Sequence, residues 1–401
     1  MRARRVIRTV FTVVVGIALV YLVFEPGRKW LAYYFRLKAY KYQQADDQVH
    51  TERMARLSLK LVPNDVYTLI MRGNALEELQ RYDEQERVFR KAVALAPNDV
   101  YAFAGLGPAL YFLGRDEEAE RYEQKAVELD PSIAQVQTDL AGILFALGRN
   151  DEAEVHLREA LSLDPDLPMA HSSLAEVLAR RGKTEEAELE FCEAVRLAPQ
   201  WWKSHLNLSK FFLHQNRLDE AQMEIQECLR LQPNAADAVQ NLGELYWKRG
   251  NLMEAERQYR KGYQLAKGYA RAAHQLALFL LAGKGKQLFD EGKLGDLERT
   301  LREAIRLWPT FPQPYNNLGY TLIADSNRWD EAESLIRRAI ELASPQDPNF
   351  FDSLGELLSK QPRRRDEAVA AYRKALAGYT KMGSSNDIHR VQEILDRLET
   401  P

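Results

Sequence analysis

Cysteine is scarce, with only Cys192 and Cys228 in 401 residues. That excludes a disulfide-stapled scaffold and the zinc modules that need several thiols at short spacing. Catalytic signatures are missing too. No G-x-S-x-G, H-E-x-x-H or paired C-x-x-C occurs, so the sequence encodes no nucleophile elbow, zinc-protease helix or dithiol centre. Excess positive charge is confined to one end. Residues 1–41 carry nine Lys/Arg against Glu25, a balance of +8, and the net charge of −3 leaves the remainder at −11. An acidic body argues against general nucleic-acid binding. Neither enzyme activity nor a cofactor, a metal or a nucleic-acid ligand is expected.

Only one long run lacks charge. Residues 9–24, TVFTVVVGIALVYLVF, extend back through Arg8 to position 6, giving about 28 Å of helix at about 1.5 Å per residue. Arg8 can snorkel to the headgroups. The expectation is a basic tail over 1–5 and a transmembrane helix over 6–24. A cleaved secretory signal would need small residues at its cleavage site, and VYLVFEPGRKW offers no A-x-A pattern. Trp30, Tyr33, Tyr34, Phe35, Arg36 and Lys38 follow like an interfacial belt. Lys and Arg tie on the two flanks. The crowding of four arginines into residues 1–8 tilts the expectation toward a single-pass inner or plasma membrane protein with an exported body. A cytoplasmic body is the alternative.

The rest of the chain is periodic. Pro63, Pro97, Pro131, Pro165, Pro199 and Pro233 are each 34 residues apart. Ala119, Ala153, Ala187, Ala221 and Ala255 keep the same phase, as do Leu106, Leu140, Leu174, Leu208, Leu242 and Leu276. A repeat of this length means stacked supersecondary units, not one globular core. Within residues 134–167, Leu140, Ile143, Leu144 and Leu147 mark one helical face. Gly148 suits the left-handed conformation that ends a helix, and Gly114, Gly182, Gly250 and Asn216 fill the same slot. Asn150 or Asp151 is expected to cap a second helix, which presents Ala153, Leu157, Ala160 and Leu161 until Pro165 closes it.

These residues resemble the tetratricopeptide repeat. Leu106-Gly107, Ala119, Ala126 and Pro131 fit its pattern in one unit, and Leu242-Gly243, Ala255 and Tyr259 in another. Asn317-Leu318-Gly319, Ala332 and Ala339, then Leu354-Gly355, Ala368, Tyr372 and Ala375, fit the late units. The resemblance implies an all-α, right-handed superhelical solenoid of nine to ten helix pairs and a non-catalytic scaffold. Juxtamembrane helices and a degenerate first repeat are expected over 25–65, the array over 66–383, and a capping helix over 384–401. Ile388, Val391, Leu395 and Leu398 form the apolar face of that last helix.

The period breaks near residues 282–296, where eight residues are added. The Gly283–Lys286 segment, GKGK, lacks the preceding strand and the Ser/Thr of a phosphate loop, and a solvated or edge-contact loop is expected. Acidic runs such as Asp116-Glu117-Glu118 sit at second-helix starts, where they suit the helix dipole. His171 and His205 share a repeat position, and stacked equivalents lie about 10 Å apart, too far for joint metal ligation; they are expected to be structural. Cys192 and Cys228 are expected to be buried free thiols.

The family's concave face, lined by first helices, is the expected partner groove. By position it would present Tyr101, Tyr111, Phe112, Phe145, Lys210, His214, Trp247, Lys248, Arg271, His274, Asn316 and Tyr320 to an extended peptide or helix. Asn207, Asn241 and Asn317 share a slot like the asparagines with which some such arrays hold a peptide backbone. Trp201-Trp202, in an inter-repeat turn, forms a possible contact patch. With the anchor, the architecture resembles bacterial membrane-tethered repeat proteins of envelope biogenesis. It suggests a scaffold that gathers protein partners for assembly or regulation of a membrane or envelope complex. The alternative is a non-catalytic targeting subunit of a glycosyltransferase or polysaccharide-export machine.

Overall fold

A computed structural model describes residues 25–45, 47–266, 270–343 and 347–400, apart from the side chains of residues 270 and 271. The expected membrane span at 6–24 lies outside the described residues. Among those described, no helix is long and apolar enough to cross a membrane, and no strand occurs.

The chain forms two compact units, residues 1–199 and 200–401. The first opens with the hairpin α1 (Glu25–Gln44) and α2 (Gln48–Leu61), followed by α3 (Val66–Glu78) and α4 (Tyr82–Leu95). The next first helix is broken into α5 (Val100–Ala104) and α6 (Leu106–Phe112) before α7 (Asp116–Leu129). Pro108 explains the break, because it has no N–H to return to the carbonyl of Ala104. Two further pairs complete the unit: α8 (Ala134–Ala146) with α9 (Asn150–Leu163), and α10 (Pro168–Arg180) with α11 (Thr184–Leu197).

The second unit stacks α12 (Trp202–His214) with α13 (Leu218–Leu231) and α14 (Ala236–Lys248) with α15 (Leu252–Leu265). α16 (Ala270–Phe279) runs through a π-helical segment (Leu280–Gly285) into α17 (Lys286–Asp290), and α18 (Leu294–Leu307) follows. Then come α19 (Pro312–Leu322) with α20 (Trp329–Leu342), α21 (Pro348–Ser359) with α22 (Arg365–Met382), and α23 (Ser385–Glu399).

One conformational rule makes the hairpins. Gly114, Gly148, Gly182 and Gly250 have φ of 73°, 80°, 77° and 76°, and Asn216 has 58°. The left-handed residue turns the chain so that the Arg149 N–H donates to Leu144 O at 2.9 Å, satisfying a terminal carbonyl. Gln80, at φ 55°, fills the same slot one repeat earlier. The expected cap is not formed. The second helix begins at Asn150 itself, Arg149 holds the cap position without a side-chain bond, and the Asn150 Oδ1 is buried without a partner.

Packing follows from small residues meeting large ones. Ala119, Ala126, Ala153, Ala160, Ala187 and Ala194 are fully buried. The glycine eight residues into a first helix faces the large residue of the second: a Cβ on Gly73 would lie 2.3 Å from the Phe89 ring, and one on Gly355 2.9 Å from Tyr372. Only glycine allows that approach.

Arginines at the hairpin turns tie neighbouring pairs together. Arg328 reaches Glu298 of the preceding second helix at 2.7 Å and Glu331 of its own at 2.8 Å. Arg149 likewise joins Glu120 and Glu152, and Arg364 joins Glu333 and Glu367. These carboxylates therefore do more than complement a helix dipole. The Arg328 bond holds Glu298 down to about 2. The pairs are solvent-exposed in part, so water screening keeps the contribution of each to stability small.

The insertion is not a solvated loop. It continues the first helix as a π-helical segment and α17, with Gly283 and Gly285 buried. A Cβ on Gly283 would lie 2.9 Å from the Phe279 ring, and one on Gly285 2.8 Å from Leu280 O. Lys284 pairs with Glu256 at 2.9 Å and Lys286 with Asp290 at 2.8 Å. The two cysteines also differ. Cys228 is buried in a packing-alanine slot, and burial pushes its thiol up to about 12, whereas Cys192 is exposed. At the carboxyl end, α23 buries Val391 and Leu395, with Ile388 and Leu398 partly buried beside them.

Candidate functional site

Within the first unit, the first helices carry an aromatic face. Tyr101 and Phe112 are exposed, and so is Tyr67, one period before Tyr101. Phe112 stacks on Tyr82 at 4.4 Å and meets Tyr111 edge-on at 5.3 Å. Phe145 is half-buried, with the Arg180 guanidinium 3.5 Å above its ring and Arg180 Nη1 donating to Phe145 O at 2.8 Å. Its upper ring face is therefore taken.

The second unit distributes its candidates differently. Asn207 and Lys210 are half-buried, and His214, Lys248, Asn317 and Tyr320 are exposed. Asn241 departs from the asparagine ladder: it is buried and donates to Ser209 Oγ at 3.0 Å. Asn316 is also buried. Trp247 is partly buried and meets Phe279 edge-on at 5.8 Å. His274 stacks on Trp308 at 3.9 Å, and burial holds its pKa below the usual histidine value. The Arg271 side chain lies outside the described residues. Trp201 and Trp202 are half-buried. Trp202 packs with Leu206 beside Cys228 and Ala235.

His171 and His205 serve structure. His171 Nδ1 lies 2.6 Å from Glu190 and His205 Nδ1 2.7 Å from Glu224, each pairing the two helices of one hairpin. Among the described residues no group of three His, Cys, Asp or Glu could hold a metal ion. The second unit also has a cleft of about 860 Å³ lined by Lys284, Arg302, Arg306 and Tyr315. Its Lys284 and Arg302 are already paired, with Glu256 and Glu331 respectively.

A buried polar group in the first unit had not been expected. Glu123 occupies the slot that holds Phe89 one repeat before and Leu157 one repeat after. It is fully buried, and neither carboxyl oxygen has a hydrogen-bond partner. Burial, then the negative charges of Asp139 and Glu77, push its pKa well above the usual carboxylate range. Gln85, in a packing-alanine slot, is buried too. Its Nε2 donates to Glu77 at 3.1 Å while its Oε1 has no partner. Asp139 accepts from Gln135 at 2.7 Å, and burial raises it to about 7. The signal was in the sequence: two polar residues interrupt apolar slots of an otherwise regular period.

Comparison with known proteins agrees with this architecture. Profiles of the tetratricopeptide repeat match residues 70–134, 138–200 and 206–270, and a further one matches 315–343; together they span over half the chain. The "TPR repeat-containing protein PA4667" of Pseudomonas aeruginosa is 37% identical over 86 residues, 21% of this chain and 14% of that one. The chain thus spans about a seventh of that relative's length. Among solved structures, a human IFIT1 dimer with m7Gppp-AAAA superposes with TM-score 0.58 at 16% identity, covering 92% of this chain and 90% of that one. The APC/C hetero-tetramer Cut9-Hcn1 gives TM-score 0.57 at 14% identity, covering 77% and 59%. At these identities the likeness concerns the fold.

Proposed function

The chain belongs to the tetratricopeptide repeat family, and from that premise we propose that it is a membrane-anchored scaffold. Its first-helix face gathers protein partners for the assembly or regulation of a membrane or envelope complex. The observation that carries this reading is the exposure of large aromatics on that face: Tyr101 is 58% and Phe112 52% exposed. Rigid aromatic side chains left in water are suited to anchor an extended segment or helix. Tethering rests on the uncharged run at 9–24, followed in α1 by exposed Trp30, Tyr33 and Tyr34. Arg36 and Lys38 lie over two of these rings, at 5.2 Å from Tyr33 and 5.7 Å from Tyr34. Such a basic, aromatic helix suits the headgroup layer.

The test is chemical crosslinking of the full-length chain in native membranes, then isolation of the adducts. A reproducible protein adduct, reduced by Tyr101→Ala with Phe112→Ala, is expected. Recovery of free monomer alone from the membrane fraction, or of the whole chain in the soluble fraction, overturns the reading.

A further inference from the structure

We propose that the outer face of α1 is a lipid-binding surface that lies along the headgroup layer of an anionic leaflet. The inference rests on the tethering part of the proposed reading and deepens it by naming the lipid chemistry and the residues that meet it.

α1 is amphipathic in the reverse of the usual sense. A helix on a soluble body turns its apolar stripe to the core and its polar face to water. α1 instead buries Gly27, Ala32 and Ala39 and leaves Trp30, Tyr33, Tyr34, Leu37 and Tyr40 exposed. At about 100° per residue the exposed group falls on one continuous stripe, opposite Ala32 and Ala39. Tyr67 of α3, also exposed, widens it. Between the two helices runs a cleft of about 440 Å³ lined by Tyr33, Arg36, Leu37, Tyr40 and Tyr67. A contiguous apolar face at the surface marks an interaction site.

Charge and chain order identify what covers it. α1 carries Arg28, Lys29, Arg36, Lys38 and Lys41 against Glu25, a balance of +4, whereas residues 42–401 sum to −11. A second copy would set two such basic faces against each other, which opposes self-association. An anionic leaflet is attracted to α1 and repelled by the rest of the chain. Tyrosine and tryptophan join an apolar ring to a polar edge, the chemistry of the membrane interface. The uncharged run at 9–24 ends at the residue before α1. A helix of 20 residues is about 30 Å long, so the whole stripe stays within that distance of the run. Pro26 has no N–H to return to the carbonyl of Leu22 and lets the chain bend there.

The cations are placed to meet phosphates. Arg36 lies beside the cleft, its guanidinium 5.2 Å from the Tyr33 ring and 5.7 Å from the Tyr67 ring. Its Nη1 bonds Asp65 at 3.1 Å, which fixes the fork. A guanidinium has five donors, so one such bond leaves others for a headgroup phosphate. Lys38, 5.7 Å from the Tyr34 ring, flanks the stripe on its other side. Lys41 is exposed on the stripe itself, one turn beyond Leu37.

The experiment attaches a nitroxide at Leu37→Cys in the full-length chain carrying Cys192→Ser. The labelled chain is reconstituted into phosphatidylcholine vesicles with or without phosphatidylglycerol. Power-saturation EPR compares collisions of the label with oxygen, which concentrates in lipid, and with an aqueous nickel chelate. With phosphatidylglycerol the label faces lipid, and high salt returns it to water. On phosphatidylcholine alone it stays in water. Lys38→Gln with Lys41→Gln lowers the ratio of lipid-facing to water-facing label about fivefold per lysine and leaves the melting temperature unchanged, which separates lost binding from lost folding. A label in water on both vesicles, lipid contact indifferent to phosphatidylglycerol and to the lysine variant, or dipolar broadening between labels on two copies overturns the proposal. Partner capture is read separately. Capture with the label in water removes the lipid-binding face alone, and a lipid-facing label without capture removes the scaffold reading alone. Recovery of the chain in the soluble fraction of cells, with vesicle binding retained, removes the anchor alone.

Discussion

Gly148 and Gly142 lie six residues apart in one hairpin and should respond to alanine with opposite signs. Gly148 has φ 80° and nothing within 4 Å of an added Cβ, so Gly148→Ala is opposed by backbone strain alone. The left-handed conformation costs an L-residue about 1–2 kcal/mol. Alanine recovers about 0.4–1 kcal/mol by restricting the unfolded chain, leaving a net loss near 1 kcal/mol. Gly142 is exposed within α8, and an added Cβ there also meets open space. Its replacement by alanine should gain about 0.5–1 kcal/mol from helix propensity. Gly148→Asn should cost less than Gly148→Ala, because Asn216 adopts φ 58° in the equivalent slot. The assay is native-state hydrogen exchange of the Arg149 amide, whose bond to Leu144 O closes the turn. It reads local opening without assuming that a repeat array unfolds in one step. Protection should fall about fivefold in Gly148→Ala and rise in Gly142→Ala. A neutral or stabilising Gly148→Ala would refute the claim that the left-handed residue makes the hairpin.

Other consequences are open to simpler measurements. Asp139 has a raised folded-state pKa of about 7, so the native state binds more protons than the unfolded one between its ordinary value of 3.8 and 7. Stability of the first unit therefore falls as pH rises through that window; Asp139→Asn should weaken the dependence seen in thermal melts from pH 5 to 8, the remainder coming from Glu123, whose carboxyl burial also raises. Cys192 should alkylate in the folded protein, and Cys228 only on unfolding, as mass spectrometry after a brief maleimide pulse would report. Leu157→Ala removes a fully buried side chain of α9 and should cost about 2–5 kcal/mol. Exchange should then accelerate most in α8 and α9, since neighbours in a repeat array couple chiefly to each other.

Much of the fold was legible because a stacked repeat restates its rules every 34 residues. The glycines of the turn slot, the alanine and leucine stripes and the apolar face of α23 each followed from one local requirement. What escaped depended on contacts between repeats or on backbone detail. The π-helical run through Gly283 and Gly285 looked like a loop because glycine is a poor helix former; the Phe279 ring against Gly283 and the Leu280 carbonyl against Gly285 explain them. The break at Pro108 was readable but masked by the regular period around it. Arginines such as Arg149 and Arg328 recur at the turns, yet their partners lie about thirty residues back and become visible only once the pairs are stacked. The face residues divided according to local packing: Tyr101 stands in solvent while Asn241 bonds Ser209. Repeat position alone could not tell these apart.

The most direct test of partner capture at the first-helix face is site-specific photocrosslinking in native membranes. A photoreactive residue would replace Tyr101 on that face and, in a parallel chain, the exposed Leu189 of α11. The account predicts a discrete protein adduct from position 101 and little from 189. Equal labelling at both positions, or none at 101 in membranes that retain the chain, would contradict it.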